Sequence, residues 1–193
     1  FMDGGTHVKT SSKQRIKENI EAVSREIDEV SPDIAMLQEV DKDSTRSEHI
    51  DQVSRIGAAA GDYENSFARN FKAAIPPIGK VDSGVMTLSK FKAGGASRVS
   101  LPVSFKWPVR TINLKRCLLV NRAKVTGSDK ELVYINLHLE AYDNGEGKKA
   151  QTEALNKLLK EESDKGNYVI ACGDFNQTFN NVYIGNYPVH KGL

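Results

Sequence analysis

One stretch constrains this chain more than any other: Tyr168-Val-Ile-Ala-Cys172 is a short continuous apolar run that Gly173 stops, and Asp174 and Asn176 follow at once. Five strand-forming residues closed by a glycine read as a buried β-strand. In open α/β sheets, ligands bind where strands run out, so a carboxylate and an amide delivered there are chemically suggestive. The amphipathic stretch before it, Gly147 to Glu162, places Ala150, Ala154, Leu155, Leu158 and Leu159 on one face, which predicts a helix ending at Gly166. Strands with helices between some of them indicate a mixed sheet or a pair of sheets covered by helices.

The rest of the chain repeats that logic. Ser11 or Ser12 can cap a helix with Ile16, Ile20, Val23 and Ile27 at spacings of four, three and four, closed at Ser31-Pro32. Asp33 to Leu37 follows as a short strand ending at Gln38-Glu39, then a charged loop from Asp41 to Ser47. A second helix carries Ile50, Val53, Ile56 and Ala60 and stops at Gly61. Strands are expected over Tyr63 to Phe71, Val85 to Leu88 and Val99 to Phe105, with Lys72 to Lys80, which holds Pro76-Pro77 and Gly79, as an irregular connection. Leu114 to Val125 and Glu131 to Leu139, joined by Thr126-Gly-Ser-Asp-Lys130, predict an antiparallel hairpin. From Phe179 to Leu193 no period is visible.

At 193 residues with 39% apolar and 27% charged residues, the chain fits one well-buried domain over 1–193. A net charge of +2 excludes a global polyanion trap, so nucleic acid as a partner is possible but not indicated by charge. Cys117 and Cys172 both sit in strand-like runs and read as free core thiols rather than a disulfide. No apolar stretch reaches the length of a membrane span, and the start lacks the basic-then-apolar order of a signal peptide. Opening on Phe1-Met2 suggests a piece of a longer protein, so location stays open, as does oligomeric state.

Three strands in this reading end in groups of catalytic type: Glu39, His138, and Asp174 with Asn176. Converged, they suit hydrolysis of a phosphate ester. Mg2+, or Mn2+ in its place, needs few protein carboxylates because it keeps several waters, so Glu39 suffices as its anchor. Asp174 can orient and deprotonate a water, while Asn176 and a protonated His138 can stabilise charged phosphoryl oxygens. Arg116 can point at a phosphate. Each has a plainer reading: Glu39 as a solvated edge residue, His138 as a hydrogen-bonded core histidine, Asp174 and Asn176 as turn formers, Arg116 as a surface ion-pair partner. Lys148 and Lys149 read as a solvated helix start.

The order of these elements resembles a known family. Ser31-Pro-Asp-Ile-Ala-Met-Leu-Gln-Glu-Val40, Gly84-Val-Met-Thr-Leu-Ser-Lys90, Asn136-Leu-His-Leu139 with Gln151 in the next helix, and Gly173-Asp-Phe-Asn176 resemble the endonuclease/exonuclease/phosphatase superfamily of metal-dependent phosphoesterases. The resemblance implies a four-layer α/β sandwich, two mixed sheets face to face with helices outside. It also implies that Glu39 binds the divalent metal, His138 contacts the scissile phosphate, Asp174 readies the attacking water and Asn176 steadies the transition state. Two departures stand beside it. The family's first strand with a metal-holding Asn and its closing Ser-Asp-His segment have no counterpart here, and His190 does not sit in such a motif. The domain is therefore expected to be truncated at both ends, with little catalysis from these residues alone. The expected activity is hydrolysis of a phosphodiester ahead of a phosphomonoester, with a small or lipid-derived substrate ranked ahead of nucleic acid. The competing expectation is a non-catalytic domain of the same fold that binds a phosphorylated ligand or a protein partner.

Overall fold

The computed structural model describes residues 12–76, 79–103, 115–141, 143 and 145–177. The tail from Thr178 onward, His190 with it, Ser104 and Phe105 at the end of one expected strand and Leu114 at the start of the next lie outside the described residues. Within them the order is α1 (Lys13–Val30), β1 (Ile34–Asp41), a one-turn 3-10 helix (Thr45–Ser47), α2 (Gln52–Ala59), β2 (Glu64–Ile75), β3 (Gly79–Ser89), β4 (Ala93–Ser100), β5 (Cys117–Lys124), β6 (Glu131–His138), α3 (Glu146–Asp164) and β7 (Tyr168–Asp174). The strands form two sheets, ordered β1-β3-β2 and β4-β5-β6-β7. The first is antiparallel throughout its described strands. In the second, β4, β5 and β6 pair antiparallel while β6 and β7 run parallel, the pairing that the α3 crossover makes possible.

Apolar faces dictate the stacking. Ile16, Ile20 and Ile27 of α1 join Val53 and Ile56 of α2 over Met86 and Leu88 of β3. On the far side, Leu155 of α3 covers Leu118, Val120, Val133, Ile135 and Leu137. Between the sheets lie Ala68, Val85, Cys117 and Leu119. The result is four layers, helix, sheet, sheet, helix, as the resemblance implies. Burying one such aliphatic side chain contributes about 1.5–3 kcal/mol, so the paired cores dominate what holds the layers together.

Helix ends follow local chemistry. The Ser12 hydroxyl accepts from Arg15 N at 3.2 Å, and Asp51 accepts from Ser54 N at 2.9 Å. Ahead of Pro32, Ser31 takes a left-handed turn with φ 48°, and its N–H bonds Ile27 O. The α3 N-terminus is capped from further back, by the Asp143 carboxylate on the N–H groups of Gly147 and Lys148.

Four expectations need correction. Lys72 to Lys80 is chiefly hairpin rather than loose connection, since Lys72, Ala73, Ala74 and Ile75 pair with Asp82, Val81, Lys80 and Gly79. The strand expected from Val99 begins earlier, at Ala93, and ends at Ser100, because its pairing partner β5 starts only at Cys117. β1 runs past Glu39 to Asp41 through a bulge. Finally, β7 is not buried on both faces: Val169 and Ala171 pack toward α3, whereas Tyr168 and Ile170 are 59% and 46% exposed and Cys172 is exposed. Side chains alternate along the strand, and the face opposite Val169 and Ala171 meets solvent. Cys117 is a buried free thiol as expected; Cys172 is free but not a core residue.

Candidate active site at the ends of the central strands

β6 and β7 pair in register from Leu132↔Tyr168 to His138↔Asp174, so parallel strands deliver the histidine and the carboxylate side by side. His138 Nε2 lies 3.6 Å from Asp174 Oδ2. Behind them a small closed set of bonds fixes the strand ends. Asp174 Oδ1 accepts from Asn176 N at 2.8 Å, Leu139 N donates to Asp174 O at 2.8 Å, and Asn176 Nδ2 donates to Leu139 O at 2.9 Å. Asn176 holds φ 51° to make this possible. The turn-former reading and the site reading therefore coexist: one Asp174 oxygen closes the turn, the other faces the imidazole. The Asp174 side chain remains 47% exposed, open to an approaching water. One hydrogen of the Asn176 amide is committed to Leu139, which leaves the other for a ligand oxygen.

His138 is 6% exposed. Burial, joined by the nearby Arg116 guanidinium, pushes its pKa down to about 4 against the opposing pull of Asp174 and Glu140. At neutral pH the imidazole is therefore neutral, not the protonated donor expected from sequence, and offers one N–H. Arg116 is 3% exposed just ahead of β5, so its charge is buried rather than at the surface, and its field reaches His138.

Glu39 arrives from the other sheet. β1 pairs Leu37 with Met86 and then Val40 with Gly84, so Gln38 and Glu39 together oppose Val85 alone, a β-bulge. Glu39 adopts φ 57°, a left-handed conformation that costs a non-glycine residue about 1–2 kcal/mol. Strain of this kind gathers at functional sites. Its side chain is 41% exposed, and Arg46 Nη1 stands 3.8 Å from Glu39 Oε2. β1 packs against both β6 and β7, which brings the bulge toward the His138 end.

Several supporting residues carry no periodic signal, although Asn136 and Gln151 stand in the motifs of the family resemblance. Asp41, 3% exposed, receives Arg46 through two bonds of 2.9 Å, and Arg46 also reaches Ser83 Oγ. Asn136, fully buried two residues before His138, bonds β1 and β3 across the sheet interface. Gln151, 1% exposed, accepts from Glu140 N and donates to Pro102 O, tying α3 to the loop after His138. A heptad or alternation count registers such side chains only as interruptions. Lys149 is exposed near Glu153, and Lys148 lies at the helix start, as expected.

Among the described residues, no group of three or more His, Cys, Asp or Glu gathers to enclose a metal ion. The donor chemistry still fits one hard cation on a single carboxylate. Glu39 is a half-exposed carboxylate set out on a strained bulge, and Mg2+ typically takes one or two carboxylates with waters and substrate oxygens completing its shell. Among the described residues no helix is long and apolar enough to cross a membrane.

The chain is thus a two-sheet α/β sandwich with carboxylates and a histidine at its strand ends. The sequence profile of the endonuclease/exonuclease/phosphatase family matches residues 8–185, and the chain belongs to that family. Its members are typically metal-dependent phosphoesterases and nucleases. Solved structures share the fold. An endonuclease/exonuclease/phosphatase from Beutenbergia cavernae superposes with TM-score 0.65 at 23% identity over 87% of this chain and 45% of that one. Truncated Caenorhabditis elegans TDP2 gives 0.62 at 18% over 84% and 57%. The human Nocturnin catalytic domain, solved with a bound sulfate anion, gives 0.58 at 22% over 84% and 58%. The chain thus spans about half the length of these structures. No curated protein sequence matches it.

Proposed function

We propose that this chain forms the core of a Mg2+-dependent hydrolase of phosphate esters, a phosphodiester ahead of a monoester, in which Asp174 readies the attacking water. The observation that carries the reading is the His138–Asp174 pair, held 3.6 Å apart at neighbouring strand ends with one carboxylate oxygen locked and the other open. Family membership supports the reaction class.

Glu39 holds the Mg2+, or Mn2+ in its place; the cation, when bound, supplies Lewis-acid polarisation of a phosphoryl oxygen. Asp174 Oδ2 orients a water and takes its proton, an efficient role for a carboxylate that is half exposed yet fixed by the turn. His138, neutral and buried, donates its N–H to a phosphoryl oxygen, so no proton has to be gained before substrate arrives. The second hydrogen of the Asn176 amide is placed for the same oxygen set. Arg116, buried near His138, is the side chain proposed to contact the phosphate. With a net charge of +2, a small or lipid-derived phosphodiester remains ranked ahead of nucleic acid.

Hydrolysis of bis-p-nitrophenyl phosphate by the intact protein, with and without Mg2+ and beside Asp174→Ala, tests the proposal. The expected result is turnover only in the wild type with Mg2+; equal rates in all three samples refute it.

A further inference from the structure

We infer that Gln38 and Asn136 form a clasp between the two sheets whose task is to position Glu39, an inference that rests on the proposed metal role of that carboxylate.

The geometry is as follows. Asn136 Nδ2 donates to Met86 O at 2.8 Å and to Leu37 O at 3.2 Å, with Thr87 Oγ1 at 3.3 Å. The carbonyls can only accept, so they fix which end of the Asn136 amide faces the first sheet. Its Oδ1 must then receive a donor, and Gln38 Nε2 supplies one at 2.9 Å. The same Gln38 nitrogen spends its other hydrogen on Met36 O at 3.1 Å. Every bond therefore lands on, or within a residue or two of, the bulge that carries Glu39. Asn136 is fully buried, so leaving its amide unsatisfied is costly, whereas Gln38 is half-buried.

The placement explains why the clasp bears on the site. Asn136 and His138 are two residues apart on β6 and share one face of it. The strand that presents the imidazole also grips the β1 backbone just before the left-handed Glu39 and the facing backbone of β3. Without that grip, the bulge can relax toward the regular ladder, which would turn the Glu39 side chain to the opposite face. Gln38 and Asn136 are thus positioning residues: they touch neither substrate nor metal but set the spacing between the carboxylate on one sheet and the His138–Asp174 pair on the other.

The test reads metal binding directly, without turnover. Mg2+ titration by calorimetry and Mn2+ titration by electron paramagnetic resonance are run on wild type, Gln38→Met, Gln38→Ser and Glu39→Gln, with melting temperature measured for each. Both Gln38 variants change a half-buried side chain, and the pair guards against one failing to fold. The expected result is an affinity about tenfold weaker in both Gln38 variants, the usual scale for losing an outer-shell partner of a metal ligand. No further loss is expected when Gln38→Met is added to Glu39→Gln. Affinity within twofold of wild type in the folded Gln38 variants, while Glu39→Gln abolishes binding, overturns the clasp and leaves the metal role standing. Unchanged affinity in Glu39→Gln removes the metal role, and the clasp falls with it.

Discussion

Replacing Gly173 with alanine is the sharpest probe of how the His138–Asp174 pair is set. A Cβ there would sit 2.1 Å from Leu137 O and 2.9 Å from Leu137 C, where real Cβ contacts stay beyond 3.0 Å. Both obstructing atoms are backbone, so β7 must part from β6 by about 0.9 Å at this rung. Asp174 is the next residue and moves with it, away from His138 and from the Leu139 N–H it accepts. A misplacement near 1 Å in a catalytic constellation costs about 100-fold in rate. The φ of 144° adds about 1–3 kcal/mol of backbone strain for alanine. Gly166→Ala separates the two effects: its φ is 81°, yet the nearest atoms belong to the flexible Lys130 side chain. Turnover of bis-p-nitrophenyl phosphate with saturating Mg2+, measured beside thermal melts, should show both variants destabilised and only Gly173→Ala slowed about 100-fold. A folded Gly173→Ala protein within threefold of the wild-type rate would show that strand spacing does not set the chemistry.

Other outcomes follow from the charges. At the opposite end of the second sheet, Arg122 binds the buried Glu162 at 2.7 and 3.0 Å, with Lys165 and Asn167 adding bonds. The Arg122 guanidinium chiefly, despite burial, holds Glu162 at about 2 instead of 4.5, equivalent to about 3 kcal/mol. A depressed carboxylate contributes above its unfolded pKa and loses the contribution as pH falls. Glu162→Gln should therefore lower urea stability by about 3 kcal/mol at pH 7 and by about half that at pH 3; an equal cost at both would refute it. His138 acts in a different window. Neutral to about 4 when folded but protonated from 6.5 downward when unfolded, it should cost the wild type up to about 3 kcal/mol as pH drops from 6.5 to 4. His138→Gln should flatten that slope in urea titrations. Finally, a thiol reagent should label the exposed Cys172 in the native protein, while Cys117, buried and with its pKa raised by burial, should react only after unfolding.

What could be read from the sequence was what repeats with a short period. The Ile16, Ile20, Ile27 stripe, the β5–β6 hairpin and the Gly-Asp-Phe-Asn strand end each carry their signal within a dozen residues. The β2–β3 hairpin was hidden because the proline pair announces a loop, while the pairing of Ala74 with Lys80 depends on a partner across the turn. The exposed face of β7 was hidden for a related reason: a continuous apolar run states that a strand is sticky, not which neighbours cover it. The neutral state of His138 needed its burial and its nearness to Arg116, facts that exist only once β5 and β6 lie together. Asp41 and Arg46 read only as a charged loop until their bonds appear, and Gln38 and Asn136, although both stand in the family motifs, reveal the bond between them only in the fold.

The clasp between the sheets also orders events in time. His138, Asp174 and Asn176 come from one contiguous β6–α3–β7 unit, whose pairing closes across a single helical crossover. Gln38 and Asn136 are 98 residues apart, and closing so long a loop is slow compared with forming local structure. The half of the site proposed to activate water should therefore assemble early, while Glu39 joins only when the sheets dock. In pulsed hydrogen exchange during refolding, amides of β6 and β7 should gain protection before those of β1. On that schedule, the capacity to anchor a cation is among the last properties the chain acquires, and its appearance reports that both halves have met.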